Sequence, residues 1–432
     1  MDQIIERIEN IMPIRIVGTV VGTEGMSITA AGFAAPIGAI ARIERKDAEP
    51  LLAEVIAFRD KLTVLYAYSE LTGIRRGSKI EFYRTIPRLS VGDELLGRVV
   101  NSFGKTIDSG RTPILDHSIR YDRKPPAPCD RPPINTVLST GVRAIDALLT
   151  SGCGQRLGIF SGSGVGKSVT LGMMTRYTNA DVIVLGLIGE RGREVNEFIQ
   201  RELGAEGQRK SVVVVSTSNE PALMRVRAAY SAISIAEYFR DRGKNVLFLM
   251  DSLTRFAMAQ REIGLAAGEP PTARGYTPSV FSLLPQLVER AGRSEQGSIT
   301  AFFTVLVEAD DKNDPICDAV RGLLDGHIWL SRKLSARGHY PAIDILESIS
   351  RLMPNICDQE HLSAAREIRR LLSLYSDNED LISVGAYHAG INPDLDKAIR
   401  LKPRIDQFLQ QQIFESSSFE ETQNGLRALL QN

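Results

Sequence analysis

The first residues of the chain place apolar side chains at helical spacing. The apolar positions are Ile4, Ile5, Ile8, Ile11 and Met12. This spacing predicts an amphipathic helix with one apolar stripe. Acidic residues outnumber basic ones on its remaining surface, whereas a helix that lies on a membrane is usually basic. We therefore expect a partner helix or the chain's own core to cover the stripe, and we assign residues 1–13 to a separate N-terminal segment.

Between residues 14 and 97 the pattern changes to short β-rich runs separated by Gly, Pro and charged residues. The runs are Ile14–Val21, Ile37–Arg45, Leu51–Phe58, Lys61–Tyr66 and Lys79–Phe82. Many short strands with frequent turn signals indicate a small β-barrel domain over 14–97. The next stretch, Arg98–Pro133, contains prolines that exclude a continuous helix or a central strand. We expect it to lie against the following domain as a boundary segment.

From about Val137 to Leu352, apolar strand-like runs alternate with helix-like stretches. The strand-like runs are Leu157–Phe160, Val182–Ile188, Val212–Val215, Val246–Met250 and Thr300–Val307, and the clearest helices are Glu194–Leu203 and Pro221–Asp241. This alternation predicts a largely parallel sheet with helices on both faces. We assign residues 98–352 to this α/β domain. Ligands of such sheets bind at the carboxyl ends of the strands.

After Leu352 the strand-like runs stop and only helical patterns remain. They cover Gln359–Leu374, Pro393–Gln412 and Ser418–Leu430. Ser418 followed by Glu421 predicts a capping box at the start of the last helix. Residues 353–432 are therefore expected to form a helical C-terminal domain.

Composition narrows the possible function classes. Lys plus Arg and Asp plus Glu both number 52, so the net charge is zero and the electrostatic signature of a nucleic-acid-binding protein is missing. No apolar run approaches bilayer length, and the N-terminus does not resemble a signal peptide. The four cysteines lie far apart, which favours reduced thiols in a cytoplasmic protein. The histidines do not cluster, so nothing indicates a metal cage.

The chemistry begins at Ser161–Ser168, which reads Ser-Gly-Ser-Gly-Val-Gly-Lys-Ser between an apolar run and a helix-like run. A strand, a glycine-rich loop, Lys-Ser and a helix form the phosphate-binding loop arrangement. The strict pattern has Gly where this chain has Ser161. Lys167 can reach the β and γ phosphates of a nucleoside triphosphate, and the Ser168 hydroxyl can ligate Mg²⁺.

Hydrolysis requires further charged groups around such a loop. Asp251 ends an apolar strand and could hold the Mg²⁺ shell, although an Asp that caps a helix is common. Glu190 follows another strand and could orient water or cap a helix equally well. A cation for the transition state could come from Arg191, Arg255 or Arg351, and sequence spacing does not choose among them.

Several motifs occur together and in order. They are Gly162–Ser168, Gly189–Val195, Leu249–Phe256, Gly268–Pro271, Leu287–Arg293 and Gly338–Asp344. Together they resemble the ATPase of type III protein export systems, a relative of the catalytic subunit of rotary ATP synthases. The resemblance covers nearly the whole chain. It implies an α/β RecA-like P-loop domain between a β-barrel and a helical domain, and a homohexameric ring with active sites at subunit interfaces.

The resemblance also implies roles for individual residues. The ATP-binding loop consists of Gly162, Ser163, Gly164, Val165, Gly166, Lys167 and Ser168. Ser168 would bind Mg²⁺ directly and Asp251 would belong to its shell. Glu190 would activate water, and Arg351 would reach into the neighbouring subunit's site. Tyr340 matches the aromatic residue that packs on adenine, while Arg191 and Arg255 match phosphate-side arginines.

The family serves either flagellar assembly or the virulence injectisome. Gly297–Phe302 and Glu379–Tyr387 resemble the flagellar branch more closely, whereas Ile263–Glu269 also suits the injectisome branch. Implied partners are a stator-type protein at the N-terminal segment, a central stalk protein in the ring pore, an export-gate membrane protein, and export chaperones with their substrates. The implied location is cytoplasmic, peripheral at the inner-membrane export apparatus.

Two other functions stay open at this point. A ring-shaped RNA translocase would need a basic, aromatic platform in the barrel. The barrel's later aromatic residues are Phe58, Tyr66, Tyr68, Phe82 and Tyr83, and no basic cluster accompanies them, so no nucleic-acid partner is expected. A non-catalytic subunit of a rotary ATPase could lack the catalytic glutamate, so the presence of Glu190 argues against it.

Overall fold

The computed structural model describes residues 15–46, 48–85, 88–307, 311 and 313–431. The amphipathic helix predicted within residues 1–13 lies outside these ranges. All four cysteines are free thiols, as their spacing predicts. In the described part of the chain, no helix combines the length and the apolar character that crossing a membrane demands.

The N-terminal domain is a closed six-stranded barrel. Its strands are β1 (Val17–Glu24), β2 (Ser27–Ala31), β3 (Ile40–Ile43), β4 (Leu51–Arg59), β5 (Leu62–Ala67) and β6 (Lys79–Arg84), joined in the order β1-β2-β5-β4-β3-β6. Along β4 buried and half-buried residues alternate, because successive side chains of a strand point to opposite faces. The predicted barrel is confirmed, but the sequence pattern missed β2. Tyr66 and Tyr68 are buried, so these two aromatic residues present no platform for RNA.

The segment after the barrel is irregular, as its prolines predict. Strand β7 (Arg88–Val91) pairs with β9 (His117–Arg120), and β8 (Val99–Val100) joins the edge of the central sheet. Short helical turns cover Asp93–Leu95 and Pro128–Asp130. The proline-rich stretch thus carries the chain along the next domain.

A nine-stranded sheet forms the centre of the molecule. Besides β8, its strands are β12 (Arg156–Ser161), β13 (Val182–Glu190), β14 (Ser211–Thr217), β15 (Asn245–Asp251), β16 (Gly292–Arg293), β17 (Ser298–Leu306), β18 (Gly326–Leu330) and β19 (Ile343–Ser350). The order is β19-β18-β12-β17-β15-β13-β14-β8, with β16 paired to β17. All neighbours are parallel except the β18–β19 and β16–β17 pairs. The mainly parallel sheet is confirmed; the sequence pattern missed β18 and β19. The small hairpin β10 (Val137–Leu138) and β11 (Ser151–Gly152) lies beside the sheet.

Helices cover this sheet. They are Arg143–Leu148, Lys167–Tyr177, Gly192–Glu197, Gly204–Arg209, Ala222–Arg240, Leu253–Ala267, Pro278–Val288, Pro315–Leu323 and Arg332–Ala336, with a short turn at Ala273–Gly275. The predicted helix at Glu194–Leu203 is interrupted by a wider π-helical turn over Phe198–Leu203. The central strands carry almost continuous apolar sequence because they are buried on both faces.

The C-terminal domain is helical. Its helices are Met353–Ile356, Gln359–Asp377, Glu379–Ser383, Pro393–Leu409 and Phe419–Ala428. The capping box of Ser418 and Glu421 is present at the last helix. The domain packs onto the helix Arg143–Leu148: the His361 ring lies 2.7 Å from the Ala147 carbonyl oxygen, and Arg143 donates to the Phe408 carbonyl oxygen.

Candidate active site

The phosphate-loop motif occupies the carboxyl edge of the central sheet. Strand β12 lies between β17 and β18 and ends at Ser161, and the helix Lys167–Tyr177 starts directly after the loop. Gly164 and Gly166 have φ angles of 78° and 89°, a left-handed conformation that favours glycine. The helix N-terminus therefore directs its free N–H groups and the positive end of its dipole into the space above the loop.

A pocket of about 530 Å³ opens above this loop. Its size lies within the range of small-molecule sites. The lining includes nine of the predicted site residues: Gly162, Ser163, Gly164, Gly166, Lys167, Ser168, Glu190, Arg191 and Arg255. Val165 instead turns its side chain into the core.

Two carboxylates meet the loop lysine behind this pocket. Lys167 Nζ donates a hydrogen bond to Asp251 Oδ1 and lies 3.7 Å from Glu190 Oε1. Glu190 ends β13 and Asp251 ends β15, and these strands are parallel neighbours, so their carboxyl ends emerge together. Burial lowers the pKa of Lys167, but the charges of Asp251 and Glu190 outweigh it, and the pKa lies above its usual value.

Glu190 is the most perturbed acid of the site. Burial, followed by the negative charge of Asp251, raises its pKa to about 7 against the opposing effect of Lys167. Within the described part of the chain, its Oε1 atom is buried and has no hydrogen-bond partner. A carboxylate with a pKa near neutrality and a free oxygen is suited to take a proton from water.

Two of the predicted arginines lie at the same pocket. Arg255 belongs to the helix Leu253–Ala267, whose N-cap is Ser252, and packs over Gly189: a Cβ atom on that glycine would lie 3.0 Å from Arg255 Cβ. Its positive charge lowers the pKa of both Lys167 and Glu190. Arg191 is exposed, 3.4 Å from Glu194. Arg255 thus flanks the carboxylates, while Arg191 lies at the solvent side.

Tyr340 lies beside the loop. Its ring is 3.5 Å from the position that a Cβ atom on Gly166 would take, and its hydroxyl is 2.8 Å from the Ser335 hydroxyl. The side chain is 46% exposed. The structure therefore leaves an aromatic surface accessible next to the loop.

Arg351 does not join the site of its own chain. In the strand register, Ser161 lies beside Leu330, whereas Ser350 lies beside Gly326. Arg351 therefore lies at the end of the β18–β19 pair that is opposite the phosphate loop. It is exposed there, and its N–H donates to the Asp325 carbonyl oxygen. The predicted site residues are thus brought together except for Arg351.

Two side chains at the site were missed by sequence reasoning. Arg332 lines the pocket, and a Cβ atom on Gly162 would lie 2.6 Å from its Nε atom. Thr304 is fully buried, and its hydroxyl donates to Asp251 Oδ1 at 2.7 Å. Arg332 follows β18, a strand that the pattern did not show. For Thr304 the sequence contained one indication of a special role, because it is a polar residue within an apolar strand.

Two family models match the chain: "ATP synthase alpha/beta family, nucleotide-binding domain" over residues 141–350 and "T3SS EscN ATPase C-terminal domain" over residues 357–428. The flagellum-specific ATP synthase of Bacillus subtilis is 51% identical over 94% of each chain. The chain belongs to the family of flagellar and type III secretion ATPases. The predicted family, and with it the ATPase class and nucleotide binding, are confirmed.

Other members of this ATPase family are similarly close. The flagellum-specific ATP synthase of Salmonella typhimurium is 49% identical and covers 96% of this chain and 93% of its own. The type 3 secretion system ATPase of Xanthomonas euvesicatoria is 47% identical over 94% of this chain and 92% of its own. The assembled ATPase EscN of enteropathogenic E. coli superposes with a TM-score of 0.92 at 47% identity, covering 95% of this chain and 99% of EscN. EscN in complex with its central stalk EscO gives a TM-score of 0.89 at 46% identity over the same shares of the two chains.

The residues of this ATPase site fit a magnesium ion bound together with a nucleotide. The Ser168 hydroxyl is exposed in the pocket, and the carboxylates of Asp251 and Glu190 lie close by, one with an unpartnered oxygen. Hydroxyl and carboxylate oxygens are the ligand type that Mg²⁺ prefers. No group of three or more His, Cys, Asp or Glu side chains suited to a metal occurs among the described residues.

Proposed function

We propose that this chain hydrolyses ATP to energise protein export for flagellar assembly: chaperone release, unfolding and entry of export substrates. The observation that carries the proposal is the meeting of Lys167, Glu190 and Asp251 above a phosphate loop. A loop alone binds a nucleotide, whereas a buried carboxylate poised to accept a proton adds the means to hydrolyse it. The high identity to flagellum-specific ATP synthases supports the flagellar assignment.

The site residues predicted from the sequence have the following roles in this proposal. The backbone N–H groups of residues 162–166 cradle the phosphates, and Lys167 contacts the β and γ phosphates. Ser168 would ligate Mg²⁺ directly and Asp251 would belong to its shell, and the ion would supply positive charge that neutralises the phosphates. Glu190 orients the attacking water and receives its proton. Arg191 and Arg255 contact the phosphate side, and Tyr340 packs on the adenine.

Arg351 acts in trans in this proposal. Its place at the far end of β18 and β19, exposed and away from its own loop, suits an arginine that completes the site of a neighbouring subunit. A homohexameric ring would bring the two together. The superposition on assembled EscN and on EscN with its central stalk supports a ring with a stalk protein in its pore.

The remaining partners and the domain limits complete the proposal. The N-terminal segment 1–13 docks a stator-type regulatory protein, ahead of a barrel domain over 14–97. An ATPase domain over 98–352 and a helical domain over 353–432 follow. The further partners of the protein are an export-gate membrane protein, export chaperones and their substrates. The ATP-dependent step takes place in the cytoplasm, at the inner-membrane export apparatus.

The test of hydrolysis uses the purified chain and Glu190→Gln. The variant keeps the size and polarity of the side chain but cannot accept the proton, so we expect normal ATP binding with turnover reduced at least about 100-fold. Glu197→Gln is the matched control, because Glu197 is partly exposed and paired with Arg193. Normal turnover by Glu190→Gln would exclude Glu190 as the base.

The flagellar branch is tested in cells. We expect the chain to restore swimming and hook-protein export in a bacterium that lacks its flagellar export ATPase, and Glu190→Gln not to restore either. Rescue of needle-protein secretion but not of swimming would favour the injectisome function, which the 47% identity to the Xanthomonas ATPase keeps as the second candidate. Stimulation of hydrolysis by RNA would contradict both.

A further inference from the structure

A buried threonine contacts the proposed magnesium-shell acid. Thr304 lies on β17, next to β15, and the register pairs Phe303 with Met250 one residue before Thr304 and Asp251. The Thr304 hydroxyl donates to Asp251 Oδ1 at 2.7 Å. Its neighbours Phe303 and Val305 are fully buried, so the hydroxyl sits in an apolar strand. A buried hydroxyl without a partner is costly, and this one is satisfied by the carboxylate.

The same carboxylate oxygen receives a second hydrogen bond from Lys167. The two donors differ in what they do when a nucleotide binds. Lys167 has a long, flexible side chain and is needed by the phosphates. Thr304 is neutral and short, and its hydroxyl is held by a central strand of the sheet. Once Lys167 turns to the phosphates, Thr304 is the donor that still contacts Asp251 Oδ1.

A second hydrogen bond, separate from the Thr304–Asp251 contact, holds the end of β17 in place. Leu306 N–H donates to the Thr254 hydroxyl at 2.9 Å, and Thr254 belongs to the helix that begins just after Asp251. The strand that carries Thr304 is thereby tied to the segment that carries the carboxylate. The Thr304–Asp251 contact is built into two connected backbone elements rather than into a mobile loop.

We propose that Thr304 is a positioning residue of this ATPase: its hydroxyl holds the Asp251 carboxylate in the orientation that the Mg²⁺ shell requires while Lys167 contacts the phosphates. This inference rests on the Mg²⁺ role proposed for Asp251. Removal of a partner that orients a metal-shell carboxylate typically changes metal affinity or activity by roughly 10–100-fold.

The chain offers a matched set of variants. Thr304→Val removes the donor with little change in shape, and Thr304→Ser keeps it. Thr300→Val is the control on the same strand, because Thr300 is also buried but its hydroxyl accepts from Gly154 N–H at 2.8 Å, away from the carboxylates. Thermal unfolding of each variant shows what each substitution costs the fold.

The decisive measurement is the binding of a fluorescent ATP analogue in EDTA and across a Mg²⁺ titration. We expect Thr304→Val to bind the analogue normally in EDTA but to need at least about tenfold more Mg²⁺ for the metal-dependent change in binding. At limiting Mg²⁺, kcat should fall by a similar factor. Thr304→Ser should restore both values, and Thr300→Val should change neither.

Unchanged Mg²⁺ dependence in Thr304→Val, or an equal shift in Thr300→Val, would overturn the positioning role. Asp251→Asn separates this failure from that of the underlying proposal. If Asp251→Asn loses the Mg²⁺ response and Thr304→Val keeps it, only the role of Thr304 is wrong. If Asp251→Asn itself keeps the wild-type Mg²⁺ response, Asp251 does not serve the ion and both proposals are wrong.

Discussion

At the scale of single residues, the site brings one lysine and two carboxylates together in a mostly buried position. Lys167 provides one positive charge for the carboxylates of Glu190 and Asp251. Asp251 has Lys167 and Thr304 as hydrogen-bond donors, whereas among the described residues the Oε1 atom of Glu190 has no hydrogen-bond partner. The pKa of Glu190 is raised to about 7, first by burial and then by the negative charge of Asp251.

This shift links the stability of the nucleotide-free protein to pH. The pKa of Glu190 is higher in the folded protein than its ordinary value of 4.5, so the folded state binds the proton more tightly than the unfolded state. The stabilisation is complete below the ordinary pKa and is lost as the pH rises through about 7. Urea unfolding at a series of pH values should show a steeper loss of stability over this window in the wild type than in Glu190→Gln. Parallel pH profiles of the two proteins would contradict the shift.

Arg332 provides a second prediction at this scale. Its guanidinium lies against Gly162 at the pocket wall, where it can add a charged hydrogen bond to a phosphate. Arg332→Ala should weaken ATP binding by roughly 10-fold or more, since such bonds contribute about 1.5–3 kcal/mol. Lys333→Ala is the control, because Lys333 pairs with Glu379 instead. Titration calorimetry with ATP measures both, and equal affinities of the two variants would remove Arg332 from the binding site.

At the scale of elements, one arginine joins the barrel to the nucleotide domain. Arg227 of the helix Ala222–Arg240 lies over the rings of Tyr68, Phe103 and Tyr121, at 4.8, 5.2 and 5.3 Å from their centres. It pairs with Glu54 of β4 at 2.5 Å. The barrel, the segment that follows it and the ATPase domain therefore share one mostly buried cation.

Removal of the Arg227 side chain should lower the stability of the fold. Arg227→Ala leaves Glu54, whose side chain is mostly buried, without its positive partner, and we expect a loss of about 3–5 kcal/mol in the free energy of unfolding. Arg225→Ala is the matched control on the same helix: its partner Glu262 is 52% exposed, so the loss should be about 1 kcal/mol or less. Chemical denaturation gives both values. Similar losses in the two variants would show that the burial of Glu54 adds nothing to the effect of removing its partner.

At the scale of the whole molecule, the sheet separates the two halves of the proposed catalytic machinery. Ser161 leads into the phosphate loop at one end of the strands, and Arg351 follows Ser350 at the other. Parallel β12 and β18 and antiparallel β19 impose this separation. A neighbouring chain can supply the arginine that the loop of the same chain does not contact.

The separation predicts complementation between inactive variants. Arg351→Ala should bind ATP but lose about 10³-fold in turnover, the typical cost of a missing arginine finger. Lys167→Ala should lose turnover through its own loop. A mixture of the two should regain activity, because some interfaces combine an intact loop with an intact arginine. Turnover of the mixture is the measurement, with each variant alone as control, and a mixture as inactive as its components would contradict action in trans.

Local features of the molecule were determined by the sequence alone. The phosphate loop is contiguous, and its glycines allow the left-handed turns at Gly164 and Gly166. Glu190 and Asp251 were predictable because apolar runs end at them and parallel strands end at a common edge. The capping box at Ser418 depends only on residues three positions apart. In each case the physical cause acts within one element or follows from the fold class.

Other features were decided only by the tertiary structure. Strand β2 was missed because its sequence, Ser-Ile-Thr-Ala-Ala, is weakly apolar and its ladder partners come from other parts of the barrel. The contacts of Arg332 with Gly162, and of Thr304 with Asp251, join residues far apart in the chain. The distance of Arg351 from its own loop follows from β19 running against β18. Such contacts depend on strand order and direction, which are set by the packing of the whole sheet rather than by the local run of side chains.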